Sequence, residues 1–192
     1  MKKRIAIFAS GSGSNAQKIM EHFKRNPDVE VVLVLTNNPQ AFVLQRADNF
    51  EIPSHIFTRH EFYETDDVIR LLKMHQVDLI VLAGFLWQIP KLLLESFPNK
   101  IINLHPALLP KYGGKGMYGN HVHNAVLENK EEESGITIHF VNENFDEGEI
   151  IHQSKFKIEP GDNLEMIKFK GQQLEHQHFP KVIESLLKKT KS

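Results

Sequence analysis

The chain has 192 residues, and its 23 basic and 24 acidic side chains give a formal net charge of −1 at pH 7. This balance leaves no excess of positive charge for a nucleic-acid backbone or an anionic membrane. The sequence contains no cysteine, which excludes disulfide bonds, thiolate catalysis and Cys-ligated metals. No apolar run reaches the roughly 18 residues that a membrane span needs. We therefore expect a soluble cytoplasmic protein that binds neither nucleic acid nor a membrane.

Short apolar stretches rich in Ile and Val alternate with helical stretches in the first hundred residues. The predicted strands are residues 5–9, 29–35, 54–57, 79–83 and 100–104. The predicted helices between them are residues 14–25, 41–49, 61–75 and 89–97. This alternation is typical of right-handed βαβ units, and it predicts a largely parallel sheet.

The pattern changes after residue 104. A glycine-rich loop, a short helix at 120–128 and two strands at 135–141 and 149–158 follow, and the two strands face each other across a hairpin loop. Asp162 and Glu165 have the spacing of a capping box at the start of a last helix, and Pro180 is expected to kink or restart that helix. No linker or composition break is present. We predict a single domain, 1–192, with a phosphate-binding part (1–104) and a catalytic part (105–192).

The first strand leads into Gly11-Ser12-Gly13-Ser14-Asn15, directly before the first helix. Glycines allow a sharp turn there, and free N–H groups at a helix N-terminus attract an anion, phosphate above all. The second strand lacks the acidic residue that would hold the ribose of a dinucleotide, and no Walker lysine is present. Binding of a phosphate monoester therefore fits better than NAD, and a turn without a ligand remains the alternative.

Asn103 and His105 lie two residues apart in a predicted strand, so their side chains face the same side. The carboxyl ends of parallel strands are where open α/β sheets bind ligands. A role in satisfying loop backbone is the alternative for both. Asp146 lies in the hairpin loop. It has a catalytic role only if that loop folds back onto His105, because a carboxylate beside an imidazole favours the protonated ring.

The loop at 111–119 follows these residues and is either a flexible surface excursion or a lid. Two pairs of histidines, His121 with His123 and His176 with His178, have a spacing that suggests zinc. Residues two apart on a helix point away from each other, and no third ligand stands at metal spacing. We expect surface or capping roles for them and no metal.

Together these segments resemble the glycinamide ribonucleotide transformylase family over residues 5–187. The resemblance rests on Ser-Gly-Ser-Gly-Ser-Asn at 10–15, Val-Leu-Ala-Gly-Phe at 81–85, Asn-Leu-His-Pro-Ala-Leu-Leu-Pro-Lys-Tyr at 103–112, and Asp146-x-Gly148. It implies an α/β, Rossmann-like formyltransferase fold, with a mostly parallel central sheet, antiparallel strands in the C-terminal part and helices on both faces.

The resemblance also implies an activity, the transfer of a formyl group from 10-formyltetrahydrofolate to the glycinamide amine of 5′-phosphoribosylglycinamide in purine biosynthesis. Asn103 and a protonated His105 would donate hydrogen bonds to the oxyanion of the tetrahedral intermediate. Asp146 would keep His105 charged and help to carry a proton to the leaving folate nitrogen. No metal is implied.

The substrate-binding residues implied by the resemblance are Gly11, Gly13, Ser14, Asn15, Gln172 and Glu175. Those implied for the formyl-folate donor are Leu86, Trp87, Gln88, Ile89, Asn103, Asn142, Glu143, Asn144 and Phe145. Two features depart from the family: Trp87 stands where many relatives have arginine, and the loop at 113–119 is longer and richer in glycine.

Two other classes of function stay open at the level of sequence. One is a related formyl-folate enzyme with another acceptor: an amino sugar nucleotide, methionyl-tRNA or water. The near-neutral charge argues against tRNA. The other is a non-catalytic nucleotide-binding module, which the fold alone does not exclude.

Overall fold

The computed structural model describes residues 1–189, and for Lys189 only the backbone. The elements in chain order are β1 (Lys3–Phe8), α1 (Ser14–Phe23), β2 (Val29–Thr36), α2 (Val43–Asn49), β3 (Ser54–Ile56), α3 (Arg59–Tyr63), α4 (Asp67–Met74), β4 (Leu79–Leu82), α5 (Lys91–Ser96), β5 (Ile101–His105), α6 (Asn120–Glu128), β6 (Glu133–Phe140), β7 (Ile150–Lys157) and α7 (Leu164–Lys189). Within this range no helix is long and apolar enough to cross a membrane.

The chain divides into two compact units, residues 1–102 and the part that begins at Asn103. The division lies two residues before the predicted one. The single-domain organisation stays a prediction.

In the first unit, strands pair in parallel in the order β3-β2-β1-β4. Ile7 of β1 lies opposite Val34 on one side and Val81 on the other. All three side chains are fully buried, as expected for strands that are covered on both faces. The parallel βαβ arrangement predicted for this region is confirmed.

In the second unit, β6 and β7 pair antiparallel, with Ile136 opposite Ser154 and Thr137 opposite Gln153. The helix α7 packs against both strands and against α6. The antiparallel C-terminal strands are confirmed, and α6 has the predicted bounds.

The single helix predicted at 61–75 is wrong, because two helices, α3 and α4, occupy this stretch. A capping box between Thr58 and Glu61 begins α3 two residues early. A second helix begins at Asp67 with Asp66 at its N-cap, and the hydroxyl of Thr65 before it accepts a hydrogen bond from the backbone N–H of Asp67 (3.2 Å). The apolar side chains Val68, Leu71 and Leu72, whose spacing is helical, all lie in α4.

The predicted start of α7 also needs correction. Asn163 caps the helix, because its side-chain oxygen accepts from the backbone N–H of Met166 at 3.0 Å. Asp162 instead accepts from the backbone N–H of Glu159 and pairs with Lys170. The helix continues through Pro180 without a restart. It carries a buried stripe of Phe179, Ile183 and Leu187 across that position, and this packing offsets the hydrogen bond that proline removes.

Candidate active site

The turn between β1 and α1 is shaped by its glycine. Gly13 has a φ of 70° and precedes the first residue of α1. A Cβ on Gly13 would lie 2.5 Å from Cγ2 of Val43, which excludes any other residue without movement. No side chain within residues 1–189 caps this helix. The first N–H groups of α1 therefore face this turn, where a glycine lets a ligand approach the backbone closely. An anion site at a helix N-terminus requires both features.

The start of α2 fixes the other side of this turn. The backbone N–H of Val43 donates to the carbonyl oxygen of Gly11 (3.2 Å). The Arg46 Nε donates to the carbonyl oxygen of Ser12 at 2.7 Å. Arg46 thus brings a positive charge to the predicted anion turn. Nothing in the sequence pattern indicates Arg46, because only the fold brings it to the turn.

Ser10 connects the turn to the stretch predicted to hold the folate. Its buried hydroxyl donates to Oδ1 of Asn37 (2.7 Å) and accepts from the backbone N–H of Leu86 (3.1 Å). Its backbone N–H donates to the carbonyl oxygen of Gly84 at 3.0 Å. The positions of these two segments are therefore coupled through one residue.

The stretch from Leu86 to Ile89 presents both apolar and polar groups. The Leu86 side chain is 54% exposed, whereas Ile89 is buried. Trp87 packs against Tyr63, whose hydroxyl donates to the backbone carbonyl of Gln88 at 2.9 Å. The Arg59 guanidinium lies over the rings of Tyr63 and Trp87. A positive charge therefore lies beside Trp87, although residue 87 itself carries none.

In the second unit, the hairpin loop places Asp146 against His105. The Nδ1 of His105 lies 3.4 Å from Oδ2 of Asp146, and both side chains are at least nine-tenths buried. His139, which its spacing in the sequence does not distinguish from other histidines, completes the cluster. Its Nε2 lies 3.6 Å from Oδ1 of Asp146 and accepts from the side-chain amide of Asn103 at 3.2 Å. The three predicted catalytic side chains are thus brought together through His139.

Backbone carbonyls determine which nitrogen of each imidazole carries a proton, since a carbonyl oxygen can only accept. The Nε2 of His105 donates to the carbonyl oxygen of Tyr112 at 2.7 Å. The Nδ1 of His139 donates to that of Phe140 at 2.7 Å. The nitrogens that face Asp146 are the remaining ones, Nδ1 of His105 and Nε2 of His139. The Asp146 carboxylate therefore lies between these two nitrogens.

The loop around Asp146 has the conformation that this contact needs. Asp146 has a φ of 58°, which short polar side chains tolerate better than most. Its Oδ2 accepts from the backbone N–H of Gly114 at 3.0 Å. A Cβ on Gly148 would lie 1.7 Å from the carbonyl oxygen of Phe140, so the Asp146-x-Gly148 motif has a steric basis.

The segment after β5 is held in place by Thr137. Its buried hydroxyl donates to the carbonyl oxygen of Ala107 at 2.7 Å and accepts from the backbone N–H of Leu109 at 3.0 Å. This contact fixes the path of the chain directly beyond His105. Thr137 and His139 lie two apart on β6, as Asn103 and His105 do on β5.

The ionisation of this cluster differs from the prediction. Burial lowers the pKa of His105, and this effect outweighs the opposite effects of Asp146 and of the Tyr112 carbonyl. Burial alone would raise the pKa of the Asp146 carboxyl, but the neighbouring imidazoles of His139 and His105 and the Gly114 N–H together hold it below its usual value. Asp146 does raise the pKa of His105, as expected, but burial lowers it further, so Asp146 alone does not keep the imidazole charged. The pair consists of an ionised carboxylate and an imidazole that releases its proton readily.

The other predicted binding residues of the second unit lie on two segments. In the hairpin loop, Asn144 bonds to Asn142 and Glu147, and Phe145 is 36% exposed. On α7, Gln172 is exposed and Glu175 is half-buried. Their roles stay predictions. Within residues 1–189, no group of three or more histidine, aspartate or glutamate side chains could hold a metal.

Known proteins resemble this chain over nearly its whole length. The model of a family described as formyl transferase matches residues 3–183. The phosphoribosylglycinamide formyltransferase of Bacillus subtilis (strain 168) is 38% identical over 190 residues, which cover 96% of this chain and 95% of the relative. The chloroplastic phosphoribosylglycinamide formyltransferase of Arabidopsis thaliana is also 38% identical over 191 residues, 96% of this chain, and there the match spans 65% of the relative's length.

Solved structures show the same likeness. The crystal structure of phosphoribosylglycinamide formyltransferase from Bacillus halodurans matches with a TM-score of 0.87 at 36% identity. The match covers 98% of this chain and 97% of that one. The predicted fold class, an α/β formyltransferase fold with a mixed and mostly parallel sheet, is confirmed.

Proposed function

The chain belongs to the formyl transferase family, and on that premise we propose that it transfers a formyl group from 10-formyltetrahydrofolate to the glycinamide amine of 5′-phosphoribosylglycinamide. The product is 5′-phosphoribosyl-N-formylglycinamide, an intermediate of purine biosynthesis. The observation that carries this proposal is the buried contact between His105 and Asp146, 3.4 Å apart, with Asn103 in the same cluster.

The reaction needs a donor for a developing negative charge. When the amine nitrogen attacks the formyl carbon, the new C–N bond forms and the formyl oxygen becomes an oxyanion. An amide nitrogen carries two hydrogens. One hydrogen of Asn103 contacts His139, and the other donates to the oxyanion. Such a donor contributes most when it is fixed before the reaction begins.

The reaction also needs a route for one proton. The attacking amine loses a proton, and the folate nitrogen gains one when its bond to the formyl carbon breaks. The Asp146 carboxylate, which faces Nδ1 of His105 at 3.4 Å, passes the proton to Nδ1, and the imidazole with its lowered pKa later returns it by the same route to the leaving nitrogen. Asp146 stabilises the imidazolium that forms between these steps. The revised protonation state makes His105 a base first and an acid second.

Binding of the two substrates falls to the remaining predicted residues. Gly11, Gly13, Ser14 and Asn15 form the turn that takes the phosphate, because its N–H groups and the start of α1 favour an anion. On α7, Gln172 and Glu175 contact the ribose. The formyl-folate donor binds along Leu86, Trp87, Gln88 and Ile89 and along Asn142, Glu143, Asn144 and Phe145, which offer apolar surface and backbone hydrogen bonds.

The partners of the protein are then two small molecules, without nucleic acid or membrane. Its formal net charge of −1 supports this inference, since polyanion binding needs a basic surface. We place the activity in the cytoplasm, with a monomer or a homodimer as the working form.

The proposal is tested by a formyl-transfer assay with the purified protein. We expect donor-dependent formylation of phosphoribosylglycinamide, and a loss of about 10²–10³ in kcat for His105→Ala. His60→Ala is the matched control, because His60 pairs with Glu64 on the surface of the first unit and should keep wild-type kcat. Preference for an amino sugar nucleotide, methionyl-tRNA or water in a competition assay would overturn the assignment of the acceptor.

A further inference from the structure

The short segment after β5 contacts both members of the His105–Asp146 pair through its backbone. The carbonyl oxygen of Tyr112 accepts from Nε2 of His105 at 2.7 Å. Two residues later, the N–H of Gly114 donates to Oδ2 of Asp146 at 3.0 Å. The orientation of the imidazole and of the carboxylate therefore depends on where this backbone is held.

The backbone of Tyr112 does not adopt this conformation without cost. Its φ of 57° lies in the left-handed region, which bulky side chains rarely occupy because it is strained. A contact outside the segment is needed to hold it there. The Tyr112 side chain supplies that contact, because its hydroxyl donates to Oε1 of Glu131 at 2.8 Å.

Glu131 is itself held in place. The ammonium of Lys111 lies 2.9 Å from Oε1 and 3.1 Å from Oε2 of Glu131. Lys111 is exposed, whereas Tyr112 and Glu131 are half-buried. The inner contact between the phenol and the carboxylate is therefore the one shielded from solvent, and the outer ion pair is worth little at such a site.

We propose that Tyr112 and Glu131 are positioning residues for His105: their hydrogen bond holds the Tyr112 carbonyl against Nε2, which keeps the proton-accepting Nδ1 turned to Asp146. This inference rests on the proposed function of His105. Neither side chain touches a reacting atom. Their effect on catalysis passes through the tautomer and the orientation of one imidazole.

The protonation states of Tyr112 and Glu131 keep their hydrogen bond intact near neutral pH. Burial and the hydrogen bond to Glu131 raise the pKa of Tyr112 to about 12. The contacts with Lys111 and Tyr112 lower the pKa of Glu131. The phenol thus stays a donor and the carboxylate an acceptor throughout the neutral range. A change of the rate with pH in this range therefore reflects protonation of His105 and not of Tyr112 or Glu131.

The first experiment compares Tyr112→Phe with Tyr118→Phe. Both variants remove one phenol hydroxyl from the same loop, but Tyr118 is 51% exposed and its ring contacts only His121 among the aromatic contacts of the described chain. We expect Tyr112→Phe to lower kcat about tenfold with little change in KM, as the loss of one positioning hydrogen bond implies. Tyr118→Phe should match the wild type. The midpoint of the acid limb of kcat against pH should move to lower pH, because the Tyr112 carbonyl raises the pKa of His105.

The second experiment tests rescue at the partner residue. Glu131→Gln keeps an oxygen that accepts from the Tyr112 hydroxyl, whereas Glu131→Ala does not. We expect the glutamine variant to retain most of the wild-type kcat and the alanine variant to resemble Tyr112→Phe. The double variant of Tyr112→Phe with Glu131→Ala should be no slower than either single variant.

A third readout does not depend on turnover. In ¹⁵N spectra of histidine-labelled protein near pH 7.5, the wild type should show His105 with its proton on Nε2. Tyr112→Phe and Glu131→Ala should show a mixture of tautomers. Unchanged spectra and an unchanged pH profile in both variants would overturn the positioning role. If His105→Ala keeps full activity while these spectra change as expected, the proposed function of His105 is wrong, but Tyr112 and Glu131 do position its imidazole.

Discussion

The two regions that we propose bind and transform the substrates are built in opposite ways. The turn at Gly11–Asn15 in the first unit is made of backbone, shaped by the φ of 70° at Gly13 and by its close approach to Val43. The cluster of Asn103, His105 and Asp146 in the second unit is made of ionisable and polar side chains, joined through His139.

This difference between a backbone turn and a side-chain cluster determines which changes each region tolerates. A backbone site depends on geometry, so it is sensitive to any added atom and indifferent to pH near neutrality. A side-chain site depends on where protons lie, so a change of one atom that preserves shape still alters its chemistry. Binding of phosphate and transfer of a proton should therefore respond separately to mutation.

The largest expected effect is that of Asp146→Asn, a change that preserves shape. The amide cannot stabilise an imidazolium at His105, so we expect kcat to fall about 100-fold. The dissociation constant for phosphoribosylglycinamide, measured by calorimetry, should stay within about threefold of the wild type. A large loss of affinity with unchanged kcat would reverse the roles assigned to the two regions.

The next effect is that of Gly13→Ala, which adds one methyl group against Val43. We expect the free energy of unfolding to fall by about 1–3 kcal/mol, as overpacking and a left-handed φ imply. We also expect about tenfold weaker binding of the phosphate substrate, with kcat at saturation preserved. Combining it with Val43→Ala should recover part of both losses, which denaturant unfolding and calorimetry would detect. No recovery would show that the clash does not cause them.

Lowering the pH should destabilise the second unit before the first. Burial lowers the pKa values of His105, His123 and His178, all in the second unit. The unfolded chain binds protons at these residues near the ordinary value of 6.5, before the folded chain does, so their contribution to stability is present above pH 6.5 and declines below it. Carboxylates with lowered pKa values in the first unit, Glu61 and Asp67, lose their contribution only at much lower pH. Hydrogen exchange, expressed as protection factors at pH 7.5 and 5.5, should show the larger loss beyond residue 103, and an equal loss in both units would contradict this.

The smallest effect is that of Ser10→Ala. The substitution leaves the backbone N–H of Leu86 and the side chain of Asn37 without the hydroxyl that they contact. We expect about 1 kcal/mol of lost stability and a modest rise in the KM values of both substrates, because the turn and the stretch from Leu86 share this residue. Steady-state kinetics in which each substrate is varied would measure it, and a KM change confined to one substrate would argue against the coupling.

Much of the fold was predictable because it follows from local pattern. Short apolar runs marked the seven strands of the described chain within two residues of their ends. The prediction of one helix at 61–75 failed because α3 ends at Tyr63 and a second helix begins at Asp67. The restart predicted at Pro180 failed because a buried stripe continues through it.

The candidate site was only partly predictable. Asn103 and His105 were recognised because they lie two residues apart at the end of a strand. Thr137 and His139 have the same spacing on β6, and that spacing is the signal that could have identified His139. The contact of Tyr112 with His105 runs through a backbone carbonyl, which carries no sequence signal. The lowered pKa of His105 follows from burial, which the identity of the residue does not reveal.

The most direct test is a single-turnover measurement with enzyme in excess over labelled 10-formyltetrahydrofolate and with saturating phosphoribosylglycinamide. We predict that the wild type transfers the label to the amine in one exponential phase, with a rate that falls as His105 becomes protonated at low pH. His105→Ala should bind both substrates with wild-type affinity and transfer the label about 10²–10³ times more slowly. Transfer at the wild-type rate by folded His105→Ala would contradict the central role of the His105–Asp146 pair.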